Sequence, residues 1–539
     1  MISQYVAERF SAEEEGVLRR YFTNLDQPVF ALVNLPEVVK GALFARYSRS
    51  AKSLRRLFLD EFVGELDITG DKTIDATVGL RRAEELYDRV FLEYGDDSVA
   101  QLGGVHLACE QASNILTKVL EWGRLMSYLE QSTRYIDYLE RIGGRYRYYR
   151  DPRVGESPLS GRYVSDMDRM FETYGRLLPA MTDFYRRHAP KDSSSSDFAY
   201  RRAVRAKALD SVRGLLPAAT VSNVGIYGTG QSYELLLLRM RSHGLPEVRA
   251  YADLMLTELR KVIPSFLKRV DLDDRGVAWS HYLEDIRTSM EKVADHLLPP
   301  DLPVDDTPTV RLVDFDPDAE IKMVASMLYP YTHLPEEQLE REARAMGPED
   351  RLSVIRAYVG SRTNRRHKPG RALERPFYQF DIMADYGAFR DLQRHRMLTL
   401  EWQRLTPRHG FTRPEAVDAA GCTLVFNEVM ERSEALYHLL DRDFPEQASY
   451  AVCLAYKVRF AMSLNARSAM HLIELRTTPQ GHSAYRRIGQ EMWRLIRDEA
   501  GHTAIAEMMK FVDLAEEPPL GRLNAESRTE QKRRAEQQA

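Results

Sequence analysis

The sequence predicts a mixed α/β fold of the α+β kind, richer in helix than in strand, built as two tandem copies of one domain. Three observations predict it. Long stretches repeat apolar residues at three-and-four spacing, shorter ones alternate apolar with polar, and the two halves resemble each other in their final parts.

The helices are the clearest elements. Val248, Tyr251, Ala252, Met255, Leu256, Leu259 and Val262 mark one amphipathic helix, and His106 to Arg124 reads as a second that buries Ala108, Ala112, Ile115, Leu116, Val119 and Leu120. Two short alternating runs, Arg145 to Tyr149 and Tyr378 to Ile382, read as strands. Lys191 to Asp197 (KDSSSSD) is a polar loop. Pro299 to Thr309 (PPDLPVDDTPT) opposes helix and strand alike and reads as a linker. The expected organisation is therefore a domain over 1–298, a linker over 299–309, a second domain over 310–515 and a disordered tail over 516–539, where apolar periodicity fades. A chain of 539 residues is too long for one ordinary core, which agrees with two domains. The likeness between halves is local: Gly228 to Arg239 reads GTGQSYELLLLR and Asn465 to Arg476 reads NARSAMHLIELR.

Composition limits the function. A hydrophobic content of 44% with 29% charged residues is that of a soluble globular protein, and a net charge of -4 gives no general attraction to nucleic acid or to a membrane. Any anion site must be a local cluster, so small ligands are the expected partners. The three cysteines, Cys109, Cys422 and Cys453, are far apart and form no Cys-x-x-Cys pair, which suggests buried thiols rather than disulfides or a thiolate metal site. No basic flank precedes an apolar run at the N-terminus, and no eighteen apolar residues run together, so a cytoplasmic protein without a membrane span is expected.

Two stretches concentrate groups able to do chemistry. In Leu392 to Phe411 (LQRHRMLTLEWQRLTPRHGF), Arg394, His395 and Arg396 crowd two fixed cations with a titratable ring beside the end of a helix carrying Phe389 and Leu392. Such a triplet is either a solvated basic helix end or a seat for phosphate or a planar, electron-rich ring. In Glu121 to Tyr138, Glu130, Ser132 and Arg134 fall at alternate positions; an extended backbone would project all three from one side, as a ligand site or as a polar edge strand. Arg467 and His471 lie one helical turn apart, with Asn465 at the helix start as either a cap or a ligand group. Gly225, Gly228 and Gly230 do not form the dinucleotide fingerprint and read as a loop needing unusual backbone angles. Asp498 and His502 share a helical face, which is more often a surface pair than a metal site, so no metal is expected.

These motifs resemble the flavin-dependent thymidylate synthases. Their signature RHRxxSxNExSxRY runs without a gap along Trp122 to Tyr135: Arg124, Ser127, Glu130, Ser132, Arg134 and Tyr135 match, while Trp122, Gly123 and Leu129 depart. Ala45 to Ser48 resembles the family's ARxS element, Gly95 to Ala100 its GHxSxxE element with Asp96 for the His, and Arg213 with Leu216-Pro217 its RxxLP element. Arg239 sits at the Arg that closes its NARSxxxxxxLR element. The second half is the mirror case. It keeps Arg394-His395-Arg396, Asn465-Ala466-Arg467-Ser468 and Arg476, with His367 ahead of Glu374 as a looser match to an upstream His, but Thr399 replaces the first Ser and nothing follows in register for Ser132 or Arg134.

The resemblance implies a division of labour. The first half keeps nucleotide ligands, Glu130, Ser132, Arg134, Arg213 and Arg239; the second keeps FAD ligands, His367, Arg394, His395, Arg396, Asn465, Arg467 and His471. It implies reductive methylation of deoxyuridylate at a composite site, with methylenetetrahydrofolate and NADPH as co-substrates and Arg134, Arg239 or Arg476 polarising the pyrimidine. It also implies a homodimer that rebuilds the family's tetramer as a pseudo-tetramer. The alternatives are a catalytically inactive flavin- or nucleotide-binding homologue, or a methylase of a different pyrimidine nucleotide.

Overall fold

The computed structural model describes residues 5–35, 37–61, 101, 103–192, 195–299, 302–305, 307–516, 520–524, 526–528 and 530–531. The element expected over Gly95 to Ala100 lies outside them. The chain forms two compact units that do not coincide with its two halves. Unit 1 takes 1–175, 215–304 and 428–453; unit 2 takes 176–214, 305–427 and 454–539. Each half thus lends a segment to the unit built mainly by the other.

Each unit is centred on a four-stranded antiparallel sheet. Unit 1 carries helix α1 (Glu37–Tyr47), strands β1 (Val29–Leu32) and β2 (Gly104–Ser113), helix α2 (Asn114–Leu120), strands β3 (Ser127–Glu130) and β4 (Val221–Thr229), and helices α3 (Gly230–Arg241), α4 (Pro246–Arg260) and α5 (Ala278–Leu297). Unit 2 carries β5 (Val310–Phe315), β6 (Phe377–Asp385), α6 (Tyr386–Leu392), β7 (Thr399–Trp402), β8 (Lys457–Asn465), α7 (Ala466–Arg476) and α8 (Ser483–Arg494). The strand orders, β1-β2-β4-β3 and β5-β6-β8-β7, are the same, so the faint likeness of the two halves reflects one architecture used twice. In β8 burial alternates without a break, which is the period-2 pattern of a strand with one face on the core.

Three sequence expectations are corrected here. The helix predicted over His106 to Arg124 is strand β2 followed by the short helix α2. A bulge between Cys109 and Ala112, with Gln111 at φ 53°, resets the alternation, and β2 is paired on both edges, so its apolar residues fall at a spacing that mimics a helix. Arg145 to Tyr149 is not a strand; it touches the sheet through one bridge, Tyr148 to Thr220, while the guanidinium groups of Arg141 and Arg150 lie over the rings of Tyr146 and Tyr148 at 4.2 and 3.8 Å. Gly225 and Gly228 lie in β4 and Gly230 opens α3, none of them at positive φ. Their glycines serve close approach instead: a Cβ on Gly225 would stand 2.3 Å from the Phe44 ring.

The helix predicted around Val248 to Val262 is α4, and Tyr378 to Ile382 lies within β6. Of the described residues from Glu516 onward, Arg522 is buried and Glu526 pairs with Arg202 at 3.2 Å. Cys109 and Cys453 are buried and Cys422 is half-buried. Among the described residues no helix is long and apolar enough to cross a membrane, and no group of three or more His, Cys, Asp or Glu side chains is placed to hold a metal ion. His502 is buried and its Nδ1 meets the Tyr378 hydroxyl at 2.9 Å.

Candidate functional site

The site in unit 2 is built on the turn from β6 into α6. Asp385 ends the strand and caps the helix, its Oδ1 accepting the Ala388 N–H at 2.9 Å. Burial pushes the Asp385 carboxyl above its ordinary range, with the charge of Arg213 opposing that shift. The helix then ends at Leu392, which delivers Asp391 and the Arg394-His395-Arg396 triplet to one place. Asp391 is buried and is the anchor of the cluster. Arg394 forms an ion pair with its carboxylate, Arg213 approaches it at 3.5 Å and Arg476 at 3.8 Å, and Arg476 also donates to its backbone carbonyl. Gly387 leaves room beside them: a Cβ there would stand 3.0 Å from Asp385 Oδ1 and 3.2 Å from Arg213 Nη2, close enough that both side chains would have to shift slightly.

Histidines continue the cluster. Arg476 Nε donates to His395 Nε2 at 2.9 Å, so that nitrogen holds a lone pair and the ring carries its proton on Nδ1. Burial, then the charges of Arg476, His471 and Arg394, hold His395 well below the ordinary histidine range. The ring of His471 stands edge-on to it at 5.5 Å, and burial together with Lys368, Arg365 and Arg476 lowers His471 to about 4. Burial also lowers Lys368, with Arg467 and Arg365 adding to the shift. These mutual effects describe a run of cations close enough to repel one another, with Asp391 and Glu374 as the carboxylates that pair with members of it. Arg213 Nη2 and His471 Nδ1 are buried and have no hydrogen-bond partner among the described residues. Buried donors and excess positive charge are what an anionic ligand satisfies.

The other sequence candidates divide. Arg467 donates to the Pro369 carbonyl at 3.1 Å and pairs with Glu374 at 3.3 Å. Asn465 caps α7, its side chain accepting the Ser468 N–H at 2.8 Å. His367 meets the Asn364 side chain at 2.8 Å, and Arg396 is exposed. Sequence reasoning missed Asp385, Asp391, Lys368 and the buried bidentate pair of Arg362 with Glu474, both bonds 2.7 Å, which ties the loop carrying His367 and Lys368 to α7. Only the acidic residue four positions before the triplet's His was there to be noticed. Beside Arg213 and Asp385 opens a cavity of about 240 Å³, lined also by Lys207, Asp210, Arg413 and His482.

Unit 1 has changed the corresponding position. Ser113 caps α2 as Asp385 caps α6, and counting nine residues on from each cap reaches Trp122 and Arg394. Six residues on, Val119 stands where Asp391 does. The Arg239 guanidinium lies over the Trp122 ring at 3.4 Å, so an aromatic face replaces the acid-anchored cation. Glu130 is directed inward to the buried Lys118 at 3.2 Å, and Lys118 pairs with Glu121 as well. Strand β3 stops at Glu130, and Ser132 opens a turn in which its hydroxyl accepts the Arg134 N–H at 3.3 Å; the three residues do not project from one side of a strand. Ser132 N–H instead donates to the Ser48 carbonyl at 3.2 Å, which joins the Glu130 to Arg134 segment to the Ala45 to Ser48 element. Arg213, expected with this group, lies in unit 2 beside Arg394 and Arg476.

The family model described as thymidylate synthase complementing protein matches residues 44–265 and 311–501. A UPF0159 protein of Chlamydia muridarum is 41% identical over 523 residues, covering 96% of this chain and 98% of its own. A UPF0159 protein of Thermoplasma acidophilum is 32% identical over 516 residues, covering 91% and 98%. Among solved structures, a flavin-dependent thymidylate synthase of Helicobacter pylori complexed with FAD and dUMP is 19% identical, with a TM-score of 0.28, over 38% of this chain and all of that one (100%). A UMP/dUMP methylase of Streptomyces cacaoi bound with 5-Br dUMP is 18% identical, with a TM-score of 0.28, over 37% of this chain and 94% of that one. With its pattern present in both halves, the chain belongs to the thymidylate synthase complementing protein family.

Proposed function

We propose that the protein is an FAD-dependent enzyme of the thymidylate synthase type, reductively methylating dUMP, and that unit 2 is where the flavin is held. The observation that carries this is the cation cluster on Asp391, in which Arg213 Nη2 and His471 Nδ1 are buried without partners among the described residues. Arg394, His395, Arg396, Arg467 and His471 would hold FAD, with His367 on the neighbouring loop and Asn465 setting the start of α7. Arg213 and Arg476 would take the nucleotide's phosphate or the developing charge on its ring. Bound there, the flavin supplies hydride transfer, methylenetetrahydrofolate the carbon and NADPH the reducing equivalents.

The chain's own contribution is positioning and charge. Asp391 fixes the Arg394 and Arg476 guanidinium groups in place before a ligand arrives, which lowers the cost of ordering them on binding. His395, neutral and with its proton on Nδ1, offers a donor without adding another charge. The substitution of Val119 and Trp122 at the matching place in unit 1 favours one flavin seat per chain, with Glu130, Ser132 and Arg134 retained in unit 1.

Purified protein is expected to be yellow with an oxidised-flavin spectrum, or to become so on incubation with FAD. Arg394→Ala should lose the flavin while Trp122→Ala keeps it, and the wild-type gene should rescue a thymidine auxotroph. Failure of the wild-type chain to bind FAD under any loading condition removes the enzyme reading. Flavin binding without rescue favours the inactive homologue or a methylase of a different pyrimidine.

A further inference from the structure

Helix α5 (Ala278–Leu297) is nearly bare. From His281 to Leu297 every residue except Arg287 and Thr288 is exposed. It is held to unit 1 through Ser280, whose hydroxyl lies 3.5 Å from the Leu238 carbonyl, through Arg287, which donates to the Ser242 carbonyl at 2.8 Å, and at its start through Trp279, whose ring has the Arg269 guanidinium 5.8 Å away. Yet Trp279, Leu283, Ile286, Met290, Val293 and Leu297 stand 39% to 66% exposed. Their spacing alternates four and three without a break, which is the a/d seam of a coiled coil and draws one narrow stripe along the helix. The helix lies outside both segments matched by the family model, 44–265 and 311–501, so this stripe is not part of the shared family pattern.

We propose that α5 is a self-association surface, pairing antiparallel with α5 of a second copy of this chain about a two-fold axis beside Thr288. That operation sets Trp279 against Leu297, Leu283 against Val293 and Ile286 against Met290, so every a position meets a d position. The flanks agree. Ser280, Tyr282, Ser289 and Ala294 border the stripe without charge, Arg287 and His296 border it too with Arg287 turned to the Ser242 carbonyl, and on one flank Asp285 of one copy comes level with Lys292 of the other. A parallel pair would instead stack Asp285 on Asp285 and Lys292 on Lys292. Four carboxylates, Glu284, Asp285, Glu291 and Asp295, against Arg287 and Lys292 make the helix net acidic, which disfavours an anionic lipid surface. A seam of some 20 residues is about 30 Å long and buries on the order of 1,000 Å² in total, the lower end of what a biological interface needs and the size of a reversible pair.

The test uses the full chain in sedimentation equilibrium, with far-UV circular dichroism to establish that each variant is folded. Ile286→Glu alone and Met290→Lys alone should each halve the sedimenting mass of the wild type or raise its dissociation constant at least about 100-fold. Mixing the two variants should restore association, because the antiparallel register places the introduced carboxylate of one chain opposite the introduced ammonium of the other. In a Cys422→Ser background, Ser289→Cys should form a disulfide with its symmetry mate on oxidation. A wild-type chain that sediments as a single copy at about 50 μM, single variants that keep the wild-type mass, or no recovery on mixing would overturn the proposal.

Discussion

Arg476 Nε–H donates to His395 Nε2 over 2.9 Å, and this bond excludes an imidazolium at the centre of the cation cluster. A protonated ring has no lone pair with which to accept it. His395 lies well below and His471 at about 4, each below the ordinary 6.5, with burial the first cause and neighbouring cations the second.

The expected consequence is a loss of stability in acid. Between pH 6.5 and the folded values, the unfolded chain has taken up protons that the folded chain still refuses, so stability rises with pH through that window and is fully present above 6.5. Ligand-free protein should therefore melt at progressively lower temperature as pH falls from 6.5 toward 4. A His395→Gln, His471→Gln double variant should show a shallower dependence; the same slope in both proteins would contradict the assignment.

Arg213 carries a second prediction. It faces both Asp391, at 3.5 Å, and the buried Asp385, so removing it leaves two carboxylates with less positive charge. Arg213→Met should cost about 1–3 kcal/mol in chemical denaturation. It should weaken dUMP binding at least tenfold in a nucleotide titration while leaving FAD absorbance unchanged. Parallel loss of both ligands in a folded variant would place Arg213 in the flavin seat instead.

How much of this was legible in the sequence depends on the range of the interactions involved. The amphipathic helix α4, the strand at Tyr378 and the helix end beside Arg394 were readable because periodicity is local. The bulge at Gln111 was not, since one extra residue in a strand leaves no mark except a shifted phase that looks helical. The placement of Arg213 was also out of reach. Its own half has an intact motif around it, but residues 176–214 join unit 2, a choice made by packing between distant segments. Asp391 is the site's anchor, yet as a lone acid on a helix it carries no signature. Glu130 matched a motif and still turned inward, because Lys118 twelve residues earlier supplies the cation it pairs with.

That triad yields a third prediction. Lys118 is buried between Glu121 and Glu130, so Lys118→Met leaves two buried carboxylates without their shared cation. Stripping one partner from a buried ion pair typically costs about 3–5 kcal/mol. Denaturant unfolding should show a loss of that order, and Lys118→Met combined with Glu121→Gln and Glu130→Gln should recover much of it. A loss under about 1 kcal/mol in the single variant would mean the carboxylates have other sufficient partners.

Glu247 tests the same physics with the opposite sign. Its carboxylate accepts the Ser113 N–H at 2.9 Å, and its other oxygen lies 2.6 Å from the Ser113 hydroxyl and 2.7 Å from that of Tyr450, all within unit 1. Burial nevertheless pushes the group up to about 7, against the downward pull of these hydrogen bonds. Between 4.5 and about 7 the folded chain keeps a proton that the unfolded chain has released, so stability contributed by Glu247 is present below 4.5 and falls as pH rises through 7. The histidines of unit 2 act in the reverse direction over nearly the same range. Wild-type stability should consequently rise with pH less steeply between pH 5 and 6.5 than the two histidines alone would make it, because Glu247 offsets part of their slope. Glu247→Gln mimics the protonated acid: its carbonyl can take the Ser113 N–H and its amide can donate to either hydroxyl. The variant should gain on the order of 1–3 kcal/mol over the wild type at pH 8 and almost nothing at pH 4.5, and its stability between those values should rise with pH because only the histidine contribution is left. Denaturant midpoints measured at pH 4.5, 6 and 8 decide the matter, and a difference between the two proteins that does not change with pH would show that Glu247 is ionised throughout.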